Sequence, residues 1–403
     1  MRSIQVAVLF CAISLVYGCG EEDSGPVAPP VVTPTPTPTP TPPPPNPAPI
    51  TGLTQTAIAQ VPLPWDIAVL DDGRILASSR TIPGTMTLVS PDGAKANVEG
   101  LPDSVGMLDI QLAPDFAASR MVYFSYMYRD TNAPRVGRGA SNPANFPEGV
   151  AIGRVTLTGN QLTAVQTVYR SAPIVSPNRI GQPGARMTFS PDGRYLFMAL
   201  GDRQEEDFNY LFSLDNDTGK IIRVFPDGTV PTDNPWFNLP GAEQQLWSRG
   251  HRNPYGLALS ADGFLWSSEH GPTGGDEFNV IASGVNYGWP AVTNGALSGS
   301  NIGRHTEGDG FIAPVITWTP AVAPAGMVRY NGNEYFDWNN DFLLTGLQQR
   351  GIVRVRTQGI RAQEVQRIDL GARIRSIALA PDGGLFVVTD GETGEIRRLA
   401  PVR

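Results

Sequence analysis

The sequence predicts an all-β fold, a six-bladed β-propeller, and three observations lead there. A strand–turn–strand unit recurs along the body, glycine and proline are abundant, and no long amphipathic helix pattern occurs. The unit is an apolar run, a tight Asp-Gly turn and a second apolar run. Asp72-Gly73 joins 66–70 to 74–77, Asp192-Gly193 joins 187–190 to 194–197, Asp262-Gly263 joins 257–260 to 264–266, and Asp382-Gly383 joins 377–380 to 385–388. Pro and Asp suit the first turn positions and Gly takes the left-handed one. Flanking runs of four or five apolar residues are strand-length. A looser copy runs through 110–116 and a degenerate one through 327–347. Six hairpins over residues 55–403 suggest about six four-stranded blades rather than an array of sandwiches. Long inter-strand loops explain their irregular spacing.

Composition narrows the partners. Among 403 residues, 30 Lys+Arg against 38 Asp+Glu give a net charge of −8, which argues against nucleic acid and anionic lipid surfaces. Lys95 and Lys220 are the only lysines, so nearly every cation is an Arg fork suited to carboxylates and phosphates. Cys11 and Cys19 are the only cysteines, which leaves the body without a disulfide or thiolate metal site.

The N-terminus reads as an address. Arg2 precedes an apolar run, Ile4 to Tyr17, too short to span a bilayer comfortably and suited to a signal peptide over 1–18. The run ends in Leu15-Val16-Tyr17-Gly18-Cys19, which resembles a lipobox; Cys19 would carry the acyl chains that give a stable anchor. Gly20 and Glu21 follow, with no Asp, so outer-membrane sorting is expected, the chain facing the periplasm or the exterior. Residues 19–54 form a Pro/Thr-rich linker; its Thr-Pro alternation favours polyproline II, a semi-rigid stalk on the order of 70 Å at ~3 Å per residue. Membrane contact is expected through this lipid anchor alone.

The densest polar segment lies between Leu246 and Pro290. It holds Arg249-Gly250-His251-Arg252-Asn253-Pro254-Tyr255-Gly256-Leu257, then Ser268-Glu269-His270-Gly271-Pro272, then Asp276-Glu277 and Asn286-Tyr287-Gly288-Trp289-Pro290. Carboxylate, carbonyl and tyrosine oxygens are hard donors that suit Ca²⁺. Arg and Asn suit a planar anion. Trp289 and Tyr255 read as blade packing, His251 and His270 as structural, Asp276 as a turn cap and His305 as solvated.

These motifs, in this order, resemble the soluble aldose sugar dehydrogenases of the glucose/sorbosone dehydrogenase family, which use pyrroloquinoline quinone (PQQ) and Ca²⁺. The likeness extends through Gly106-Met107-Leu108-Asp109, Gly219-Lys220-Ile221-Ile222-Arg223, Ala325-Gly326-Met327 and Arg373-Ile374-Arg375, and covers residues 55–400. It implies that Arg252 and Asn253 contact the quinone and that Arg373 and Arg375 pair with its carboxylates. The carbonyls of Gly271 and Pro272 would hold the Ca²⁺ that bridges to it, and Glu277 and Tyr287 match a calcium-binding pair. The implied reaction takes hydride from a small-molecule sugar to PQQ and passes electrons to a periplasmic acceptor.

Three positions depart from the family. Its general base is a His before a GxR stretch; here Gln182 precedes Pro183-Gly184-Ala185-Arg186, and an amide cannot take a hydroxyl proton at neutral pH. A family glutamine is replaced by Ser104, and a family lysine by Gln349, which is expected to bind the cofactor in its place, with Arg350 beside it as a substitute cation. Asp202, or Glu205, is the expected replacement base. The missing His also admits a non-enzymatic receptor propeller, and a Ca²⁺-dependent lactonase stands as a third class. The absence of GxSxG, HExxH and GxGxxG junctions disfavours serine hydrolase, zincin and nicotinamide readings.

Overall fold

The computed structural model describes residues 48–178, 181–205, 207–296 and 302–403. The expected signal peptide, Cys19 and most of the linker lie outside the described residues. Gly52–Thr54, expected to end the linker, instead open the first strand.

Among the described residues, twenty-four strands form six four-stranded antiparallel sheets, the expected six-bladed propeller. Strand β1 (Gly52–Pro62) comes first in sequence. Blade 1 is β2 (Pro64–Val69), β3 (Ile75–Ser79), β4 (Thr85–Val89) and β5 (Lys95–Asn97). Blade 2 is β6 (Met107–Leu112), β7 (Met121–Arg129), β8 (Glu148–Thr158) and β9 (Gln161–Arg170). Blade 3 is β10 (Gly184–Phe189), β11 (Leu196–Leu200), β12 (Lys220–Val224) and β13 (Leu246–Arg249). Blade 4 is β14 (Pro254–Leu259), β15 (Leu265–Glu269), β16 (Asp276–Ile281) and β17 (Ile316–Trp318). Blade 5 is β18 (Pro324–Arg329), β19 (Phe342–Gly346), β20 (Gly351–Gln358) and β21 (Arg361–Asp369). Blade 6 is β22 (Ile374–Leu379), β23 (Leu385–Thr389) and β24 (Thr393–Val402), with β1 as its outer strand. The N-terminal strand thus closes the ring on the C-terminal one, pairing Gly52 with Val402 through to Pro62 with Thr393.

Local chemistry explains the strands. At the four repeated turns Gly73, Gly193, Gly263 and Gly383 take φ of 82°, 69°, 86° and 89°, a region a side chain disfavours. Asp72 and Asp192 accept from the amides of Arg74 and Arg194, each at 3.1 Å. The looser copy turns through a short helix, α1 (Phe116–Ser119), and the degenerate one through a single 3-10 turn, Phe336–Trp338. Inner and second strands are buried along their length because neighbouring blades cover both faces, whereas outer strands such as β5 and β9 are largely exposed.

All six inner strands share one irregularity. Each breaks register with its neighbour within three residues of its start, at Pro64/Asp66, Met107/Ile110, Gly184/Met187, Pro254/Gly256, Pro324/Met327 and Ile374/Ser376. A hydroxyl on the second strand takes a freed amide: Ser78 from Asp66, Ser125 from Asp109 and Thr345 from Gly326, at 3.0, 3.0 and 2.8 Å. Because inner strands start at one face, the loops before them and those between second and third strands gather on that upper face. Below, the inner strands line a channel of about 420 Å³ open to the lower face.

Candidate active site

A buried ionic waist separates the channel from the upper face. Arg186 Nη1 lies 2.9 Å from Asp66 Oδ1 and 2.7 Å from Asp109 Oδ1, so three consecutive blades meet at one guanidinium. Arg186 Nε donates to Tyr255 O at 2.9 Å, and Ser376 Oγ donates to Asp66, which brings in blades 4 and 6. Burial, then the Asp66 charge, push the Asp109 carboxyl up to about 7 against the pull of Arg186.

Above the waist, Arg252 occupies the loop between β13 and β14. Its Nη1 donates to the carbonyls of His270 and Gly271 at 3.2 and 3.0 Å, and its guanidinium lies 5.2 Å from the Trp289 ring centre. The loop that presents these carbonyls is tight: a Cβ on Gly271 would sit 2.1 Å from Gly274 O. Asp276 holds it, accepting from Gly271 N at 3.0 Å and Ala323 N at 2.6 Å, the capping role expected. Pro272 follows Gly271 on the same turn.

Gln182 stands beside Arg252 with a left-handed φ of 49°. With the amide oriented to complement its surroundings, Nε2 donates to Asp202 Oδ1 at 2.5 Å and Oε1 accepts from Arg252 Nη2 at 3.0 Å. Asp202 is 1% exposed and densely held. Oδ1 also accepts from Gln204 N at 2.8 Å, and Oδ2 accepts from Trp289 Nε1 at 2.9 Å. Trp289 is therefore not simply blade packing. The segment after β16 runs parallel to β13, pairing Arg249 with Asn286, and so carries the indole up to this cluster. Glu205 is turned elsewhere: its oxygens accept from Arg138 N at 2.7 Å and Asp207 N at 3.1 Å.

Arg373 and Arg375 share a side, as their alternation implies, and both meet Asp390, which the sequence reading did not single out. Arg373 Nε and Nη2 lie 3.0 Å from Oδ2, and Arg375 Nε and Nη2 lie 2.9 and 2.7 Å from Oδ1. Aromatic rings connect this group to Arg252. Arg375 lies 5.2 Å from the Trp65 ring centre, Trp65 meets Tyr255 edge-on at 5.1 Å, and Tyr255 meets His270 at 5.0 Å. Tyr255, expected only to pack, lies between the two arginine groups. Burial pushes His270 down to about 4, and its Nε2 lies 2.7 Å from Pro324 O, so the neutral ring holds the blade 5 loop. Asn253 is buried, with Oδ1 unmatched by any described donor. Gln349 lies apart from the others: its side-chain oxygen accepts from Arg367 Nη1 on β21 at 3.2 Å, and Arg350 Nη2 donates to Gly371 O. The Ser104 hydroxyl is buried without a described partner.

The remaining acidic pair fits an ion. Glu269 and Glu277 line a cavity of about 10 Å³ with Arg252, Gly271, Tyr287 and Trp289. Glu269 is engaged by His251 Nδ1 at 3.1 Å, Asn279 Nδ2 at 3.0 Å and Arg252 N at 2.7 Å. Burial, then the Glu269 charge, push Glu277 up to about 8. The neighbouring Asn279 Oδ1 is buried with no described donor. A raised carboxyl beside an orphaned amide oxygen suits one hard cation, and Ca²⁺ matches such oxygens. The Tyr287 hydroxyl points away, donating to Val280 O at 2.6 Å and accepting from Ala282 N at 2.9 Å, so Tyr287 can offer such an ion its main chain only. His251 packs on that ring at 4.8 Å and bonds Ser248 at 2.9 Å, as a structural histidine does. His305 is not solvated: its side chain is 5% exposed, 3.4 Å from Asp309.

The quinone expectation also meets donors of the right kind. Arg252, Arg373 and Arg375 converge on the upper face around Trp65 and Tyr255, as a planar polycarboxylate requires. Sequence reasoning missed Asp390 and Trp65 because each belongs to an unremarkable loop or strand start.

A sequence model described as glucose / sorbosone dehydrogenase matches residues 61–398. Aldose sugar dehydrogenase YliI of Escherichia coli (strain K12) is 33% identical over 350 residues, covering 84% of this chain and 90% of that protein. The crystal structure of the soluble aldose sugar dehydrogenase from Escherichia coli in the apo form superposes with a TM-score of 0.76 at 31% identity, over 87% of this chain and all of that one (100%). The PQQ-bound aldose sugar dehydrogenase of Streptomyces coelicolor gives 0.64 at 28% identity, over 88% and 100%.

Proposed function

Because the chain belongs to the glucose/sorbosone dehydrogenase family, we propose that it oxidises a sugar by passing hydride to PQQ on the upper face. The observation that carries this reading is the convergence of Arg252 with the Gly271 carbonyl, Gln182 and Asp202, next to the Arg373–Arg375 pair. Arg373 and Arg375 would hold cofactor carboxylates; Arg252 and Asn253 would hold its ring oxygens. Ca²⁺ would sit with the Gly271 and Pro272 carbonyls, and a second ion with Glu277 and the Tyr287 main chain. Bound PQQ supplies a carbonyl carbon that accepts hydride, made more electrophilic by the cation.

The chain's own task is the hydroxyl proton. Gln182 cannot take it. Asp202 Oδ1, 2.5 Å from the Gln182 amide nitrogen, is the carboxylate against that position, and a sugar hydroxyl replacing the amide as donor would meet it. Glu205 fits less well, since both its oxygens hold loop amides.

A receptor without turnover is the second reading, favoured because the Gln182 amide already satisfies Asp202. Reconstitution with PQQ and Ca²⁺ tests both. Quinone absorbance with aldose-dependent dye reduction supports the enzyme, absorbance without reduction supports the receptor, and no binding removes both.

Cys19 would tether the protein to the outer membrane, with electrons leaving to a periplasmic acceptor. Cys19→Ala should move the full chain from the detergent phase to the aqueous phase on Triton X-114 partition; unchanged partition would reject the anchor.

A further inference from the structure

Arg80 has no part in the roles above. It leaves the top of β3 in blade 1, where its amide donates to Leu63 O at 2.9 Å while Leu63 N donates to Glu392 O at 2.8 Å. Across from them, Asp390 N donates to Arg373 O at 2.8 Å. These bonds stitch the upper loops of blade 1 to those of blade 6, at the seam where the ring closes.

The stitching brings Arg80 Nη2 to 3.1 Å from Asp390 Oδ1, the oxygen that also takes both donors of Arg375. Three guanidinium groups thereby share one carboxylate, and the cluster carries two positive charges beyond its own counter-ion. The surplus is held partly out of water, with the side chains of Arg375 and Asp390 only 6% and 8% exposed. Arg80 and Arg373, at 26% and 53%, form its accessible rim. A fixed, unbalanced set of forks is a receptor for carboxylates. Asp390 gives the set its geometry, since all three forks are aimed at one point before any ligand arrives.

We propose that Arg80 is a third anchor for the carboxylates of the cofactor, facing Arg373 and Arg375 across the seam, with Asp390 as the positioning residue for all three. The assignment rests on the quinone reading above and adds a blade to it. An anion held by Arg80 and Arg375 together ties blade 1 to blade 6, so binding also braces the ring at its closure and raises its melting temperature.

The test titrates PQQ, with Ca²⁺ present, into the wild-type chain, Arg80→Gln and Arg80→Lys, following quinone absorbance and melting temperature. Loss of one charge-assisted contact is expected to weaken binding by about tenfold or more in Arg80→Gln, and to shrink the PQQ-induced rise in melting temperature. Arg80→Lys keeps the charge without the fork and should fall between Arg80→Gln and wild type. Affinities of both variants within about twofold of wild type, a difference too small for such a contact, would overturn the anchor and leave the quinone reading standing. A wild-type chain that binds no PQQ would overturn both.

Discussion

The Gln182 amide bridges Asp202 and Arg252, its nitrogen 2.5 Å from Asp202 Oδ1 and its oxygen 3.0 Å from Arg252 Nη2. A neutral donor therefore occupies the carboxylate that would otherwise receive a proton. Gln182→His should place a base against the same carboxylate and raise dye-reduction turnover by about 100-fold, with activity rising through the imidazole range near pH 6.5. In the wild-type background, Asp202→Asn should lower kcat by about 100-fold and leave PQQ affinity nearly unchanged. An Asp202→Asn chain of wild-type turnover would remove this carboxylate from the chemistry.

Asp390 compensates three guanidinium groups at the ring's seam. Asp390→Asn should destabilise the cofactor-free chain by about 2 kcal/mol, less than for a fully buried pair because Arg80 and Arg373 reach solvent. Added salt should recover part of that loss, since mobile anions screen the exposed cations. Urea unfolding at low and high ionic strength measures both effects.

The waist makes stability depend on pH. The Asp109 carboxyl titrates near 3.8 when unfolded and is pushed up to about 7 when folded, so the folded chain binds the extra proton between those values. Stability from this group is then greatest below about pH 4 and falls as pH rises to about 7, by at most about 1.4 kcal/mol per pH unit. Asp217, a buried carboxylate outside the waist that accepts from the Tyr169 hydroxyl, is pushed up to about 6 by burial and has the same sign. Asp109→Asn should flatten the slope between about pH 4 and 7, whatever it does to the absolute value. Unfolding free energies at several pH values would show an unchanged slope if the carboxyl were ionised throughout.

An ion at Glu277 must displace its proton. Calcium affinity at this site should weaken as pH falls below about 8, and Glu277→Gln should shrink the calcium-dependent rise in melting temperature. Calorimetry with Ca²⁺ alone, across pH and in the variant, separates this site from the quinone.

The architecture was legible because each Asp-Gly turn announces itself locally, and the loops bearing Gln182, Arg252 and Gly271 either precede an inner strand or join a second strand to a third, which puts them on one face. Arg252, Gly271 and Gln182 could be placed together for that reason. Gln349, expected among the cofactor-binding residues, was misplaced, because its side chain turns instead to Arg367 on the outer strand, a partner 18 residues away that no local motif marks. Asp390 and Arg80 were invisible because their meaning comes from a contact 310 residues apart. Trp289 was misjudged because its segment pairs with β13 of the preceding blade rather than its own.

Strand β1 pairs with β24 across the whole length of the chain, as in the bond from Thr54 Oγ1 to Ala400 O, 346 positions away. Among the described strands, the first to be synthesised is thus the last to find its partner. Until β24 has been made, the edge of β1 has no native mate. Closure of the ring therefore waits for β24, and the Arg80–Asp390 contact across the seam depends on segments 310 residues apart meeting.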